Sequence, residues 1–188
     1  HEQPGGPFVV GAVGHGRGGH DDDALAGSAF GHEAQQVTAQ RQVGRNLQEV
    51  VVVAVADHDI NRMALDGDRC SGHPTGDEVL RTFSITMFAN IRSVDRFGRY
   101  GGEEFLLVLP DMDTNSAARA LDRLRAIVAD LEWSAFSPGM KVTMSAGVAT
   151  LKPNETSDTF LARADRALYA AKAAGRDNFQ FFTTAMNQ

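Results

Sequence analysis

Two adjacent glycines, Gly101 and Gly102, lie between two β-branched and aromatic runs, Val94–Tyr100 and Phe105–Leu109. A glycine pair between such runs calls for a tight turn, so residues 94–109 are expected to form a β-hairpin. On either side, apolar residues recur at helical spacing. Pro74 to Asn90 is expected to be a helix, with Pro in its first turn and Val79, Leu80, Phe83, Met87 and then Ile91 on one face. Asp113 or Thr114 is expected to cap a second helix to about Leu131, its inner face built from Ala117, Ala120, Leu121, Leu124, Ile127 and Val128. Val50–Val55 and Lys141–Thr150 read as strands. Ser157 or Asp158 opens a third helix through Ala173, stopped by Gly175, and Phe179–Phe182 closes as a strand. Helices alternating with strands around one hairpin imply an α/β (α+β) sandwich, a mixed central sheet flanked by helices.

The hydrophobic fraction of 43% supports a core over most of the 188 residues. A net charge of −6 argues against a nucleic-acid or membrane-surface binder, while a nucleotide pocket remains compatible with it. Cys70 is the single cysteine, which excludes an internal disulfide and fits a reducing, cytoplasmic setting. No apolar run approaches the length of a membrane span, and no basic start followed by an apolar stretch marks a signal peptide. The chain begins with His rather than Met, as expected of a fragment or processed form. Residues 1–45 are rich in Gly, His and Asp with weak periodicity and are expected to be irregular. His15, His20, Asp21, Asp22 and Asp23 match no known ligand spacing there. The folded domain is expected over residues 46–184.

The chemistry concentrates in Arg99-Tyr100-Gly101-Gly102-Glu103-Glu104-Phe105. Glycines let a ligand approach the backbone closely. Glu103 and Glu104 follow on the outgoing strand, where neighbours point to opposite faces, so they cannot share one task. Arg92-Ser93-Val94-Asp95 precedes the hairpin, and Lys172 and Arg176 straddle the stop of the third helix. Taken alone, the first is a surface ion pair and the second a set of cations at a helix C-terminus.

Together these segments resemble the GGDEF family of diguanylate cyclases, in its GGEEF variant. Gly72-His73-Pro74-Thr75-Gly76-Asp77 is similar to the family's GHxxGD segment, Val142–Ala149 to its core strand, and Ala164–Asn178 to its ADxALYxAKxxGRN helix. The resemblance covers about residues 72–180. It implies a nucleotidyl-cyclase, ferredoxin-like palm that condenses two GTP into cyclic di-GMP and pyrophosphate at a homodimer interface. It implies Mg²⁺ (or Mn²⁺) as cofactor, with Glu103 and Glu104 catalytic and Glu103 and Asp59 toward the metal. Gly101, Gly102, Asp77, Asp68, His73, Lys172 and Arg176 would bind substrate. A carboxylate such as that of Asp77 can accept from both the guanine N1–H and the exocyclic amine. Arg92, Asp95 and Arg123 would form an inhibitory site for the product, since an arginine fork suits phosphate and guanine edges. No partner of nucleic-acid or membrane type is implied.

The resemblance breaks ahead of Gly72. The family's DxDxFKxxND run should begin at Ile60, with Asp59 one residue away, and Asp68 stands where an Asn is expected. Asp57 is a further acid able to substitute. Asp23-Ala24-Leu25-Ala26-Gly27 matches only the first half of DxLTGLxNRR. Either this stretch is read out of frame until about Ser71, so that another frame of the coding DNA holds the missing run, or the first half has diverged. The alternative function is then a catalytically degenerate domain that binds cyclic di-GMP or GTP.

Overall fold

The structure is a computed structural model and describes residues 50–57 and 73–187. In chain order the elements are β1 (Val50–Asp57), α1 (His73–Asn90), β2 (Arg96–Gly101), β3 (Glu104–Leu109), α2 (Thr114–Ala129), β4 (Thr143–Thr150), α3 (Ser157–Ala173) and β5 (Phe179–Phe181). Single 3-10 turns lie at Trp133–Ala135 and Thr184–Asn187. The strands form one five-stranded sheet in the order β2-β3-β1-β4-β5, antiparallel except for the parallel β4–β5 pair. This is the mixed sheet flanked by helices that the pattern predicts.

β1 is the centre of the sheet. It pairs with β3 from Val50–Leu109 to Val55–Glu104, and with β4 from Val50–Thr150 to Asp57–Thr143. Its run of valines suits a strand with helices over both faces of its sheet, where each alternate side chain needs an apolar neighbour. Phe105, Leu107, Leu109, Met144, Ala146 and Val148 pack with α1 and α2 through Val79, Phe83, Met87, Leu121, Leu124 and Val128. Leu106, Val108, Ala149 and Leu151 pack on the other face with α3 through Phe160, Ala164 and Leu168.

Aromatic packing fastens α1 to the hairpin. Phe97 and Phe105 stack at 5.2 Å between centroids, and Phe83 sits 4.9 Å from Phe105. Such pairs contribute about 0.5–1.5 kcal/mol each beyond the area they bury. On the opposite face α3 sits hard against β4. A Cβ on Gly147 would fall 2.0 Å from the Ala164 carbonyl oxygen and 2.2 Å from the Leu168 nitrogen, so only glycine permits this approach.

Several boundaries differ from the sequence expectation. β2 begins at Arg96 because Arg92–Asp95 closes a turn, with the Asp95 N–H donating to the Arg92 carbonyl at 3.0 Å. β4 begins at Thr143 and α2 ends at Ala129. Asp113 caps α2 by accepting from the Ser116 N–H at 2.9 Å. α3 opens at Ser157 as expected and is capped by Thr156, whose hydroxyl accepts from the Thr159 N–H at 3.3 Å. Phe182 lies past β5, yet its N–H donates to the Val148 carbonyl at 2.7 Å.

One buried ion pair closes the β4–α3 connection. Arg163 donates to Glu155 at 2.7 and 2.5 Å and to the Thr150 carbonyl at 2.7 Å, with its guanidinium over Phe160 and Phe182. Burial raises the Glu155 pKa, but the bonds from Arg163 and the Lys152 N–H outweigh it and hold the carboxyl below its ordinary 4.5. A carboxyl lowered in the folded state stabilises above its unfolded pKa, and that contribution is lost as pH falls through the folded value. Arg163→Ala is expected to cost about 3–5 kcal/mol by stranding Glu155. Glu155→Gln is expected to flatten the loss of stability below pH 4.5, as read by urea denaturation from pH 7 downward.

Candidate active site

The turn of the β2–β3 hairpin is Gly102-Glu103, flanked by the Gly101–Glu104 pair. Only Gly102 takes a left-handed φ, +53°, as the first position of a type II′ turn requires. Glu103 therefore sits in the turn itself rather than on the outgoing strand, and Glu104 is the first residue of β3. The alternation of neighbouring side chains along a strand therefore does not apply to Glu103. Arg99 braces the tip, donating from Nε to the Gly102 carbonyl at 2.6 Å. A Cβ at Gly101 or Gly102 would meet nothing within 4 Å. Gly102 is explained by its φ; Gly101 is explained by nothing inside the fold.

The chain path brings the other candidates to the same end of the sheet. Val55 is paired with Glu104, so the last two residues of β1 run alongside the turn and Asp57 ends the strand at its level. α1 leads through a short turn into β2, so its first turn, with exposed Asp77, returns to the hairpin tip. α3 runs antiparallel to β4: Phe160 packs by Leu151, while Ala164 and Leu168 cover Gly147. Its C-terminal turn, holding Lys172, therefore reaches the end where β4 begins and β1 stops. Arg176 follows Gly175 at a left-handed φ of +60°. His73 opens α1. Asp59 and Asp68 lie outside the described residues, as do Cys70, His15, His20 and Asp21–Asp23.

The opposite end of the hairpin carries a second constellation, roughly 20 Å away by the length of a six-residue strand. Asp95 is buried and accepts from Arg92 Nε at 3.0 Å, Arg92 Nη2 at 2.7 Å and the Arg92 N–H at 2.8 Å. Arg92 also donates to the Pro110 carbonyl at 3.0 Å. Arg123, from α2, donates to the Asn90 carbonyl at 2.7 Å. Arg92, Asp95 and Arg123 thus gather around the C-terminus of α1, 28 to 31 positions separating Arg123 from the pair in sequence (123 − 95 and 123 − 92).

Asp57, offered by the sequence only as a substitute acid, ends β1. Two further features escaped the sequence reading. Arg125 on α2 bonds Asp177 at 3.1 Å across 52 positions. Asn178 donates to the Ala171 and Arg176 carbonyls at 3.0 and 2.7 Å, tying down the turn after α3. Strand length could have pointed to Asp57, as the acid that ends the valine run; no local signal pairs Arg125 with Asp177.

An α/β palm with a glycine hairpin facing the ends of β1, α1 and α3 is a nucleotidyl-cyclase architecture. A family model for the diguanylate cyclase GGDEF domain matches residues 34–178, and the chain belongs to that family. Diguanylate cyclase DgcP of Pseudomonas aeruginosa is 34% identical over 146 residues, covering 78% of this chain and 21% of that protein. Response regulator PleD of Caulobacter vibrioides is 40% identical over 109 residues, covering 56% of this chain and 24% of PleD. The chain thus spans about a fifth to a quarter of the length of these relatives. Among solved structures, the GGDEF domain of DgcB from Caulobacter crescentus, in complex with c-di-GMP, aligns with a TM-score of 0.71 at 28% identity, covering 82% of this chain and 88% of that one. The active GGEEF domain of a diguanylate cyclase from Vibrio cholerae aligns at 0.67 and 25% identity, covering 83% and 94%.

The two glycines separate by experiment. Gly102→Ala is expected to destabilise the hairpin by about 1 kcal/mol through its left-handed φ. Gly101→Ala is expected to leave the melting temperature unchanged while weakening nucleotide binding, as read by thermal denaturation with and without GTP.

Proposed function

We propose that this domain is a diguanylate cyclase that condenses two GTP into cyclic di-GMP with release of pyrophosphate. The observation that carries the reading is the convergence of the Gly101–Glu104 turn, the end of β1, the first turn of α1 and the Lys172 end of α3 on one site. The unexplained openness around Gly101 supports it, because that glycine makes room for something outside the fold.

Among the described residues, no group of three or more His, Cys, Asp or Glu side chains could hold a metal ion. Mg²⁺ takes one or two carboxylates and fills its shell with water and substrate phosphates. Glu103 is one such carboxylate. The second in this reading comes from the end of β1, Asp59 or Asp57, because β1 ends beside the turn. When bound, the metal neutralises and orients the phosphates.

The chain's own groups then have defined tasks. Asp77 accepts the guanine N1–H and amine, with Asp68 and His73 near the base. The amides of Gly101 and Gly102 approach the phosphates unobstructed. Lys172 and Arg176 hold the polyphosphate and stabilise charge on the departing pyrophosphate. In each half-reaction a ribose 3′-oxygen bonds to the α-phosphorus of the other GTP. The bond from that phosphorus to the β-phosphate bridging oxygen breaks, and the hydroxyl proton passes to a base for which Glu103 is placed. Glu104, exposed at the start of β3, is the second catalytic candidate beside it. One domain presents one such site, so turnover needs two domains face to face in a homodimer.

The Arg92–Asp95 pair with Arg123 is the proposed product site. Its fork is held ready by buried Asp95, as a guanine- and phosphate-binding arginine requires. Product bound there would give feedback inhibition, and a chain without turnover would still bind cyclic di-GMP. The family match begins at residue 34, ahead of β1, which supports a diverged first half over a stretch read out of frame. Among the described residues no helix is long and apolar enough to cross a membrane.

Incubation with GTP and Mg²⁺ is expected to yield cyclic di-GMP, detected by mass spectrometry, and Glu103→Ala to abolish it. Absence of product, with cyclic di-GMP binding that Arg92→Ala removes, would instead establish the binding-module reading.

A further inference from the structure

The turn after α3 is strained. Gly175, Arg176 and Asp177 take consecutive left-handed φ values of +111°, +60° and +47°, and two of the three carry side chains. Such a conformation persists only where the surroundings over-determine it, and it is typical of functional sites. Part of the restraint is local: the Arg176 N–H donates to the Ala171 carbonyl at 3.3 Å, and Asn178 bonds the Ala171 and Arg176 carbonyls. The rest comes from a distance. The Ala146 N–H of β4 donates to the Asn178 carbonyl at 3.0 Å. From α2, in the helical layer on the other face of the sheet, Arg125 reaches Asp177 with Nη1 at 3.1 Å, while its Nη2 holds Asp122 at 2.9 Å. The fork is thereby fixed at both prongs, so its grip on Asp177 has a defined direction.

We propose that Arg125 is a positioning residue for the nucleotide phosphates: by clasping Asp177 it holds the left-handed turn that presents Arg176 beside Lys172. The inference rests on the reading of Lys172 and Arg176 as phosphate ligands. Arg176 is the residue immediately before Asp177, so a rotation at Asp177 swings its guanidinium directly. Asp122 and Asp177 are both partly solvent-exposed, and exposed pairs contribute little to stability. The clasp therefore serves geometry more than folding.

The test uses the whole chain with a non-hydrolysable GTP analogue and Mg²⁺, titrated calorimetrically. Hydrogen exchange over residues 175–179 without nucleotide accompanies it. Arg125→Gln and the milder Asp177→Asn are each expected to weaken binding about tenfold, the loss of one charge-assisted contact, and to speed exchange in the turn. The double variant is expected to be no weaker than either single one, because both break the same clasp. Arg125→Lys, which restores the charge without the fork, is expected to recover part of the affinity. Unchanged affinity in Arg125→Gln and Asp177→Asn, with Arg176→Ala weakened, overturns the positioning role alone. Unchanged affinity in Arg176→Ala overturns the phosphate role of Arg176, and this proposal with it.

Discussion

The pairing of β1 with β3 on one side and β4 on the other sets which groups meet at the hairpin end of the sheet. β1 is antiparallel to both neighbours, so its C-terminus, the hairpin turn and the start of β4 coincide. A slip of one residue in the β1–β3 ladder would turn the alternate side chains of β3 to the wrong face. Helices cover both faces, so such a slip places wrong volumes in two cores at once, Phe105 and Leu107 on one side and Leu106 and Val108 on the other. The register is held by packing more than by any local turn.

The α3 layer depends on that register in turn. Its seat on Gly147 is formed by backbone atoms of Ala164 and Leu168, which cannot swing aside as a side chain could. The height of α3 along β4 is therefore fixed within narrow limits, and with it the reach of Lys172. The buried Arg163–Glu155 pair anchors the first half of the same helix against the β4 exit, and the turn at Asn178 anchors its last. The Lys172 end of α3 is thus placed by rigid elements, which is how precise sites are held.

The two constellations share β2 and β3. One lies at the turn; the other lies where α1 enters β2 and where β3 leaves at Pro110. Arg92 bonds the Pro110 carbonyl and Arg123 bonds the Asn90 carbonyl, at the ends of β3 and α1, the two elements that carry Phe105 and Phe83 of the aromatic cluster. That cluster is the packed contact between the two regions.

Much of this was legible in the residues themselves. Local chemistry determined the glycine turn, the three amphipathic helices, the Asp113 cap and the valine strand, because each rests on neighbours within a turn or two of chain. Motif spacing around Gly72–Asp77, Gly101–Phe105 and Ala164–Asn178 pointed to the family. Tertiary structure decided the rest. It placed Glu103 in the turn by the Gly101–Glu104 pairing, ended β1 at Asp57 by its ladder with β4, and brought Arg125 to Asp177. Those outcomes depend on strand register and on contacts between distant positions, Arg125 with Asp177 and Asp57 with Thr143 among them, and hydrophobic periodicity carries no record of either.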